Sequence, residues 1–292
     1  MQSSLTLVNP QNGNLAFKLL PFEGNNHFDH IQRLNYYAMI WVQAGQGTVK
    51  TGFSSYQMED DMLFSFAPYE PFMFLPDAHI KGVALYFHPD FFCIHKHQQE
   101  VACNGILFNN LYETPSIKID AVSKGTFEML CEQMKAEIEN KQLAQYELLV
   151  SYLKIFLITA SRLKTQQQPA GKETNTESKE PFILQTLKNY IETHFKTKHS
   201  ASDYADMLHI TPKALAKITK THFNKTLTDL IAARIVIEAK RELYLTSKPV
   251  KQIAYELGYE DAYYFSRFFK NNTDVSPQLY RETVGFARAE VQ

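Results

Sequence analysis

Short apolar runs separated by Gly and Pro fill the stretch between residues 35 and 88. The first run, Asn35–Gln43, is rich in aromatic and β-branched residues. The turn Ala44–Gly47 joins it to a second run, so the pair predicts a β-hairpin. Strands of this length at near-regular spacing are typical of a small β-barrel or jelly roll. The further runs are Met62–Phe66, Phe72–Leu75 and Ile80–His88.

The stretches on either side of these runs carry little periodicity. Residues 1–34 contain turn signals at Asn12 and Gly24, and residues 89–119 are mixed in character. Residues 1–34 are therefore predicted to be irregular.

A helical period begins at Ala121. Apolar residues recur every three or four positions between Phe127 and Ile138, and a longer helix is predicted from about Gln142 to Lys164. The apolar face of the longer helix either packs on its own domain or extends to a self-association surface, because exposed apolar patches mark contacts. Its members are Leu149, Tyr152, Leu153, Phe156, Leu157 and Ala160.

The composition turns polar between residues 165 and 180. The segment TQQQPAGKETNTESKE has few hydrophobic residues and carries Pro, Gly, Ser and Thr, which is typical of a flexible linker. The sequence therefore predicts two domains, residues 1–164 and residues 181–292. Within the first domain, the barrel is predicted over about residues 15–119 and the helices over about residues 121–164.

Two pairs of short helices are predicted in the second domain. The second pair lies within Pro249–Arg281, where an apolar stripe ends at Leu257 and Gly258 suits a left-handed helix cap. Phe265 and Phe269 mark the inner face of the helix that follows. Two helices joined by such a turn form a helix-turn-helix, whose second helix can enter a DNA major groove.

The first pair spans Ser200–Phe223. Thr211 can cap its second helix, and Pro212 suits the first helical position. A helix from about Thr226 to Leu245 links the pairs. With a rise of about 1.5 Å per residue, some twenty helical residues span about 30 Å. Because one turn of DNA is about 34 Å long, the two recognition helices can enter successive major grooves.

The string IAYELGYEDAYYFSRFFKNNTDVSPQLYR resembles the C-terminal signature of the AraC/XylS family of bacterial transcription regulators. The family pattern has an Ile-Ala start, a Gly-Phe turn, a Tyr-Phe-Ser-Arg-x-Phe-Lys helix and a Gly-x-Ser-Pro close. Tyr259 replaces the usual Phe, and Asp274 and Asn224 stand where the family has Gly. Asp and Asn accept left-handed backbone better than most residues, so both departures are mild.

The resemblance implies an α+β protein with an N-terminal cupin-like β-barrel, trailing helices and an all-α C-terminal domain with two helix-turn-helix units. It implies a sequence-specific DNA-binding regulator, either an activator that touches RNA polymerase or a repressor. Family members sense sugars, fatty acids or other effectors with the barrel, although some respond to no known ligand. The family often forms a homodimer through a helix placed like the longer one here. Its expected dimer contacts are Leu149, Tyr152, Leu153, Phe156 and Leu157.

Residues expected to touch double-stranded DNA are carried over from the family's exposed helix faces. Arg267 can pair two donors with guanine O6 and N7, whereas Lys217 can do so less rigidly or bind phosphate. Each Lys has the alternative of a solvated surface charge, and Arg267 has that of a phosphate contact or an internal brace. The expected contacts are Lys213, Ala216, Lys217 and Lys220 in the first recognition helix and Ala262, Tyr263, Ser266, Arg267 and Lys270 in the second.

Composition and charge fit a globular protein that meets nucleic acid at one end. The 292 residues are 45% hydrophobic and 21% charged. Residues 181–292 hold 16 Lys and Arg against 12 Asp and Glu, whereas residues 1–180 hold 14 against 19, although chance could also give this imbalance. Three cysteines without paired or ligand-like spacing favour a reducing cytoplasm. No signal peptide or membrane span is predicted, so neither a membrane partner nor a location outside the cytoplasm is expected.

Candidate ligand-binding residues lie among the predicted strands, with the ordinary core as their alternative. His95 and His97 have the spacing of a cupin metal site but lie beyond the strands and lack a fitting acidic partner, so neither a metal nor another cofactor is expected. With no nucleophile elbow, P-loop or dinucleotide fingerprint, the protein is not expected to be an enzyme. The alternative function is a cupin-type metalloenzyme with a DNA-binding appendage. The candidate lining residues are His27, His30, Tyr37, Trp41, Phe66 and His79.

Overall fold

The structure is a computed structural model that describes residues 5–9, 13–52, 54–167 and 179–285. Contacts within the chain divide it into two compact units. The first unit comprises Met1–Asn110 and Thr114–Gln168, and the second comprises Leu111–Glu113 and Pro169–Gln292. Strands dominate the first unit and helices dominate the second, which confirms the predicted α+β architecture.

The strands of the first unit form two antiparallel sheets. The larger sheet has the strand order β1-β2-β8-β3-β6-β9, and the smaller sheet has the order β5-β4-β7. The strands are β1 (Leu5–Val8), β2 (Leu15–Glu23), β3 (Tyr37–Ala44), β4 (Gly47–Thr51), β5 (Ser55–Met58), β6 (Met62–Phe66), β7 (Phe72–Pro76), β8 (Lys81–Phe87) and β9 (Ser116–Lys118).

Three helices complete the first unit: α1 (Gln98–Val101), α2 (Ala121–Glu139) and α3 (Gln145–Gln167). The first unit has two cores, one on each face of the larger sheet. Strand β3 contributes to both because successive side chains of a strand point to opposite faces. Ile40 packs with residues of both sheets in the core between them. Trp41 faces the other way and packs with residues of α2 and α3. The helices therefore cover the outer face of the larger sheet.

The prediction of irregular structure over residues 1–34 is wrong for β1 and β2. In β2, Lys18 and Pro21 interrupt the apolar run, so the segment carries no clear strand period. Its partner is β8, paired from Phe17 opposite Phe87 onward. Because β-propensity depends on such neighbours, a strand fixed by a distant partner leaves a weak local signal.

Side-chain caps define the helices of the second unit. The hydroxyl of Ser200 accepts from a backbone N–H of the first turn, and the hydroxyls of Thr211, Thr226 and Ser276 do the same for later helices. The helices are α4 (Lys179–His194), α5 (Ala201–Met207), α6 (Pro212–Phe223), α7 (Leu227–Leu245), α8 (Val250–Glu256), α9 (Ala262–Thr273) and α10 (Pro277–Val284).

Left-handed residues end both recognition helices, α6 and α9. Asn224 follows α6 with φ 54°, and Asp274 follows α9 with φ 63°. The prediction that these two residues occupy the family's glycine positions in left-handed conformation is confirmed. Linking helix α7 has 19 residues and is therefore about 28 Å long.

The predicted linker, residues 165–180, is helical at both ends. Helix α3 continues to Gln167, and α4 begins at Lys179. The remaining linker residues, 168–178, lie outside the described part of the chain. No helix among the described residues is both long and apolar enough to cross a membrane.

Candidate nucleic-acid interface

Helix α6 presents one face to the core and its cations to the surface. Thr211 caps the helix by accepting from the N–H of Ala214 at 3.2 Å, and Pro212 occupies the first turn. Leu215 and Thr219 are buried. The four predicted DNA-contact residues of this helix are all exposed: Lys213, Ala216, Lys217 and Lys220.

Helix α9 has the same arrangement. The carboxylate of Asp261 accepts from the N–H of Tyr263 at 2.7 Å, while Phe265 and Phe269 are fully buried. Tyr263 is 83% exposed, and the Arg267 guanidinium lies 5.9 Å from the ring centre of the exposed Tyr264. Lys270 is exposed in the last turn of the helix.

Two predicted contacts of α9 are less accessible than expected. Ala262 and Ser266 are only half-exposed. The Ser266 hydroxyl donates to the Ala262 carbonyl at 2.8 Å. This internal bond uses the hydroxyl's one proton, so Ser266 can offer a ligand only its acceptor lone pairs.

The turn before α9 is held by a close backbone approach. Gly258 has φ 83°, and a Cβ at this position would lie 1.9 Å from the carbonyl oxygen of Lys196. The adjoining Tyr259 is buried against the rings of Phe265 and Phe268, and burial raises the pKa of its phenol. The turn can pack in this way only where the side chain is absent.

Carboxylates neutralise both arginines of linking helix α7 and the lysine of the turn after it. Arg234 donates to Glu192 at 2.7 Å and to the buried Glu238 at 3.1 Å. Lys248 donates to Glu242 at 2.9 Å, and this bond and a stronger one to Glu256 raise the pKa of its ammonium group. We call this set of seven residues the α7 ion-pair network. Its members are Glu192, Arg234, Glu238, Arg241, Glu242, Lys248 and Glu256.

Arg281 is a structural residue that the sequence did not reveal. Its guanidinium donates to the carbonyl of Leu243 at 3.1 Å and to that of Lys248 at 2.7 Å, with a longer bond to Thr246. These bonds satisfy carbonyl groups at the open C-terminal end of α7. Partial burial lowers the pKa of the guanidinium. In the sequence, Arg281 is only a basic residue in the last turn of a short helix. No local pattern there indicates a partner on another helix.

Two sets of cations in the helical unit differ in their partners. Arg234, Arg241 and Lys248 pair with carboxylates, and Lys240 of α7 lies 5.9 Å from the ring centre of Tyr280. By contrast, no carboxylate lies within ion-pair distance of Lys217, Lys220 or Arg267 among the residues that the structure describes. Uncompensated cations on exposed helix faces suit phosphate binding, which releases counterions from a nucleic acid.

The candidate ligand-binding residues are not brought together. Tyr37 and Trp41 lie in the core shared with the helices, whereas Phe66 stacks on Phe72 at 4.1 Å between the two sheets. Phe66 pairs with Ala38, so it points to the opposite face of the sheet from Tyr37 and Trp41. The three histidines of the set, His27, His30 and His79, are exposed.

The predicted dimer contacts lie mostly in the interior. Leu149, Leu153, Phe156 and Leu157 are 0% exposed in the core of the first unit, so the packing interpretation holds for them. Only Tyr152 reaches the surface, where its hydroxyl donates to Gln133 of α2 at 3.3 Å. The width of the apolar face reflects contacts with both α2 and the larger sheet.

The alternative function, a cupin-type metalloenzyme, requires a cluster of metal ligands. In the part of the chain that the structure describes, no group of three or more His, Cys, Asp or Glu side chains is placed to hold a metal ion. His97 bonds to Glu100 at 3.1 Å and stacks on Phe92. Burial raises the pKa values of Cys103 and Cys131 to about 12, which keeps both thiols protonated.

Comparison with known proteins concentrates on the helical unit. The family described as "Helix-turn-helix domain" matches residues 204–283. The HTH-type transcriptional activator Btr of Bacillus subtilis is 26% identical over 249 residues, which cover 82% of this chain and 43% of Btr. Regulatory protein SoxS of Salmonella typhimurium is 31% identical over 99 residues, which cover 34% of this chain and 92% of SoxS.

Among solved structures, ToxT from Vibrio cholerae aligns with 92% of this chain and 98% of its own, at 15% identity and a TM-score of 0.39. The chain spans less than half the length of the first curated relatives that it matches.

Proposed function

This chain belongs to the AraC/XylS family of transcription regulators, and from that premise we propose that it binds specific sites on double-stranded DNA through α6 and α9. The observation that carries the proposal is the division of cations. Recognition helices α6 and α9 present uncompensated Lys and Arg side chains, whereas both arginines of α7 and the nearby Lys248 are held in the α7 ion-pair network. If these cations served only to keep the surface hydrated, there would be no reason for those of α6 and α9 to lack carboxylate partners.

The two recognition helices carry different chemistry. On α6 the exposed contacts are Lys and Ala side chains, which suit phosphates, a single guanine acceptor or a thymine methyl group. On α9, Arg267 can form two parallel bonds to one guanine. Tyr263 stands beside it with its ring and hydroxyl exposed. We infer that Arg267 contributes most to discrimination between bases and that the Lys residues supply affinity.

Arg267→Ala tests this assignment in the full-length protein. We expect a loss of about 1–3 kcal/mol at the preferred site and a smaller loss on random duplex. Selection from a genomic fragment library identifies the site, and gel-shift titration measures both affinities. The matched control is Arg241→Ala, because Arg241 is paired with Glu238 at 2.9 Å and should not read DNA. Equal losses for the two variants would contradict the role of Arg267.

The strand-rich first unit is proposed to control DNA binding in response to a small effector or to self-association. Btr is described as a transcriptional activator, and by that likeness we propose activation for this chain. Contact with RNA polymerase, which the family resemblance implies, is the proposed route. The protein would then act in the cytoplasm. Transcription in vitro from the selected site, with and without the protein, distinguishes activation from repression by the sign of the change.

Self-association is proposed through the outer side of α3. Leu148, Tyr152 and Ile155 follow one another at helical spacing, and Ile155 is 47% exposed. Tyr152 contacts Gln133 of α2, and the exposed Met129 lies one turn earlier on that helix. An apolar surface of this kind suits a second copy of the chain better than solvent does.

A further inference from the structure

A groove of about 500 Å³ lies between α1 and the C-terminal half of α3 in the first unit. Its apolar lining includes the buried Val101 and the partly buried Ile106 and Ile158. Sites for small molecules occupy roughly 300–1,000 Å³ and combine such a lining with a few polar groups. The groove therefore has the size and character of a ligand site, and it lies apart from the aromatic core between the sheets.

The rim of the groove carries an uncompensated positive charge. Arg162 follows Ile158 by one helical turn and is exposed. Within the described residues, no carboxylate or carbonyl group accepts from its guanidinium. Glu100, the acidic residue of the lining, is already bonded to Lys154 at 2.6 Å and to His97 at 3.1 Å. An anion entering the groove would thus meet one free guanidinium.

A buried hydroxyl without a hydrogen-bond partner provides independent evidence for a ligand. Ser161 lines the groove and is only 5% exposed. Its Oγ is shielded from solvent and has no partner within the described part of the chain, not even a carbonyl of its own helix. A buried hydroxyl without a hydrogen-bond partner destabilises the folded protein. An acceptor supplied by a ligand would remove this destabilisation.

We propose that this groove binds a small molecule with an apolar body and a single carboxylate. The planar guanidinium of Arg162 can donate two parallel bonds to the carboxylate. Rotation of the Ser161 side chain about χ1 would bring its hydroxyl from this shielded position to one carboxylate oxygen, and the apolar body covers Val101 and Ile158. A neutral alcohol of the same length keeps the apolar contacts but loses the ion pair.

The position of the groove along the chain gives the ligand a route to regulation. Arg162, Thr165 and Gln166 belong to the last two turns of α3, immediately before the segment that leads to the helical unit. A ligand that stabilises these turns would act on the end of α3 that precedes the helical unit in the chain. This regulatory consequence rests on the proposed function, whereas binding of the carboxylate does not.

Calorimetric titration of the full-length protein tests the proposal, with octanoate as the probe and octan-1-ol and octylammonium for comparison. We expect octanoate to bind at one site. A charge-assisted bond is worth enough that Arg162→Gln should weaken octanoate binding by about tenfold or more. Ser161→Ala should weaken octanoate binding by about threefold to tenfold. Octan-1-ol should bind both wild type and Arg162→Gln with similar affinity, and octylammonium should bind least.

The matched control is Arg33→Gln, which removes the same charge from an exposed site elsewhere in the first unit. Circular dichroism confirms that each variant is folded. Absence of octanoate binding, or unchanged octanoate affinity in both groove variants, would overturn the proposal. So would sedimentation showing that Arg162→Gln dissociates a dimer while octanoate does not bind, because a second copy would then occupy the groove. Failure of DNA recognition would leave the calorimetric result unaffected.

Discussion

At the scale of single residues, the residues in the turns next to recognition helices α6 and α9 determine how these helices can be placed. Gly258 allows the turn before α9 to rest against the backbone of Lys196, and its φ of 83° is one that other residues adopt only with strain. Asn224 and Asp274 adopt left-handed backbone with side chains attached, as Asn and Asp do more readily than most residues. The turn at Gly258 therefore tolerates no Cβ, whereas the turns at Asn224 and Asp274 accommodate a full side chain.

Gly258→Ala should destabilise the helical unit by about 2–4 kcal/mol, since the new Cβ adds both backbone strain and a clash. Urea denaturation can be followed by circular dichroism and by fluorescence of the chain's one tryptophan, Trp41, which lies in the first unit. The loss should appear in the circular dichroism and leave the tryptophan transition in place.

Gly125→Ala is the matched control for this substitution. Gly125 lies inside α2, where an added Cβ would meet no atom within 4 Å. The substitution should stabilise the first unit by about 0.5–1 kcal/mol, because Ala favours a helix interior over Gly. If Gly258→Ala proved as harmless as Gly125→Ala, the close approach to Lys196 would not constrain the turn.

At the scale of elements, local signals predicted the helices and the central strands, whereas pairing with distant segments hid β1 and β2. Each helix signal lies within a few residues of sequence. Examples are the cap Thr211, the proline after it and the apolar spacing of α9. Strand β2 and the pairing of Phe66 with Ala38 depend on segments far away in the chain. The candidate ligand set combines residues from both faces of the sheet for that reason, since register decides which face a side chain takes.

Arg281→Ala should cost the helical unit about 1–3 kcal/mol, because it leaves carbonyl groups at the end of α7 without donors. Arg281→Lys should recover only part of this loss, since one ammonium group cannot span carbonyls that a guanidinium bridges. Chemical denaturation measures both values. Gln278→Ala, on the same helix and exposed, should stay within about 0.5 kcal/mol of wild type. A similar small effect of Arg281→Ala would show that water satisfies these carbonyls.

At the scale of the whole molecule, the free cations of α6 and α9 should make DNA binding strongly salt-dependent. Each phosphate contact contributes about 0.9 to the slope of log K against log salt, so Lys217→Ala or Lys220→Ala should each reduce that slope by nearly one. Titrations from 50 to 300 mM salt, about the physiological range, give the slopes. Lys248→Gln should leave the slope unchanged because Lys248 is bonded within the α7 ion-pair network. Equal slopes for all variants would mean that these Lys residues remain solvated.

Self-association can be tested on the exposed side of α3. Ile155→Glu should convert a dimer into a monomer in sedimentation experiments, because it places a charge in the proposed apolar contact. Ser151→Glu changes the charge of the same helix at a neighbouring exposed position and should have a weaker effect. By contrast, Leu153→Glu should unfold the first unit, since Leu153 is fully buried. Dimers that persist in Ile155→Glu would place the contact elsewhere.

The α7 ion-pair network also affects how the protein approaches DNA before contact. Carboxylates compensate both arginines of α7 and Lys248, while α6 and α9 retain uncompensated cations, so much of the free positive charge of the unit lies on the recognition helices. This asymmetry gives the helical unit a permanent dipole moment. In the field of a polyanion, the dipole experiences a torque that turns the recognition helices towards the duplex. A larger fraction of diffusive collisions therefore begins in the productive orientation.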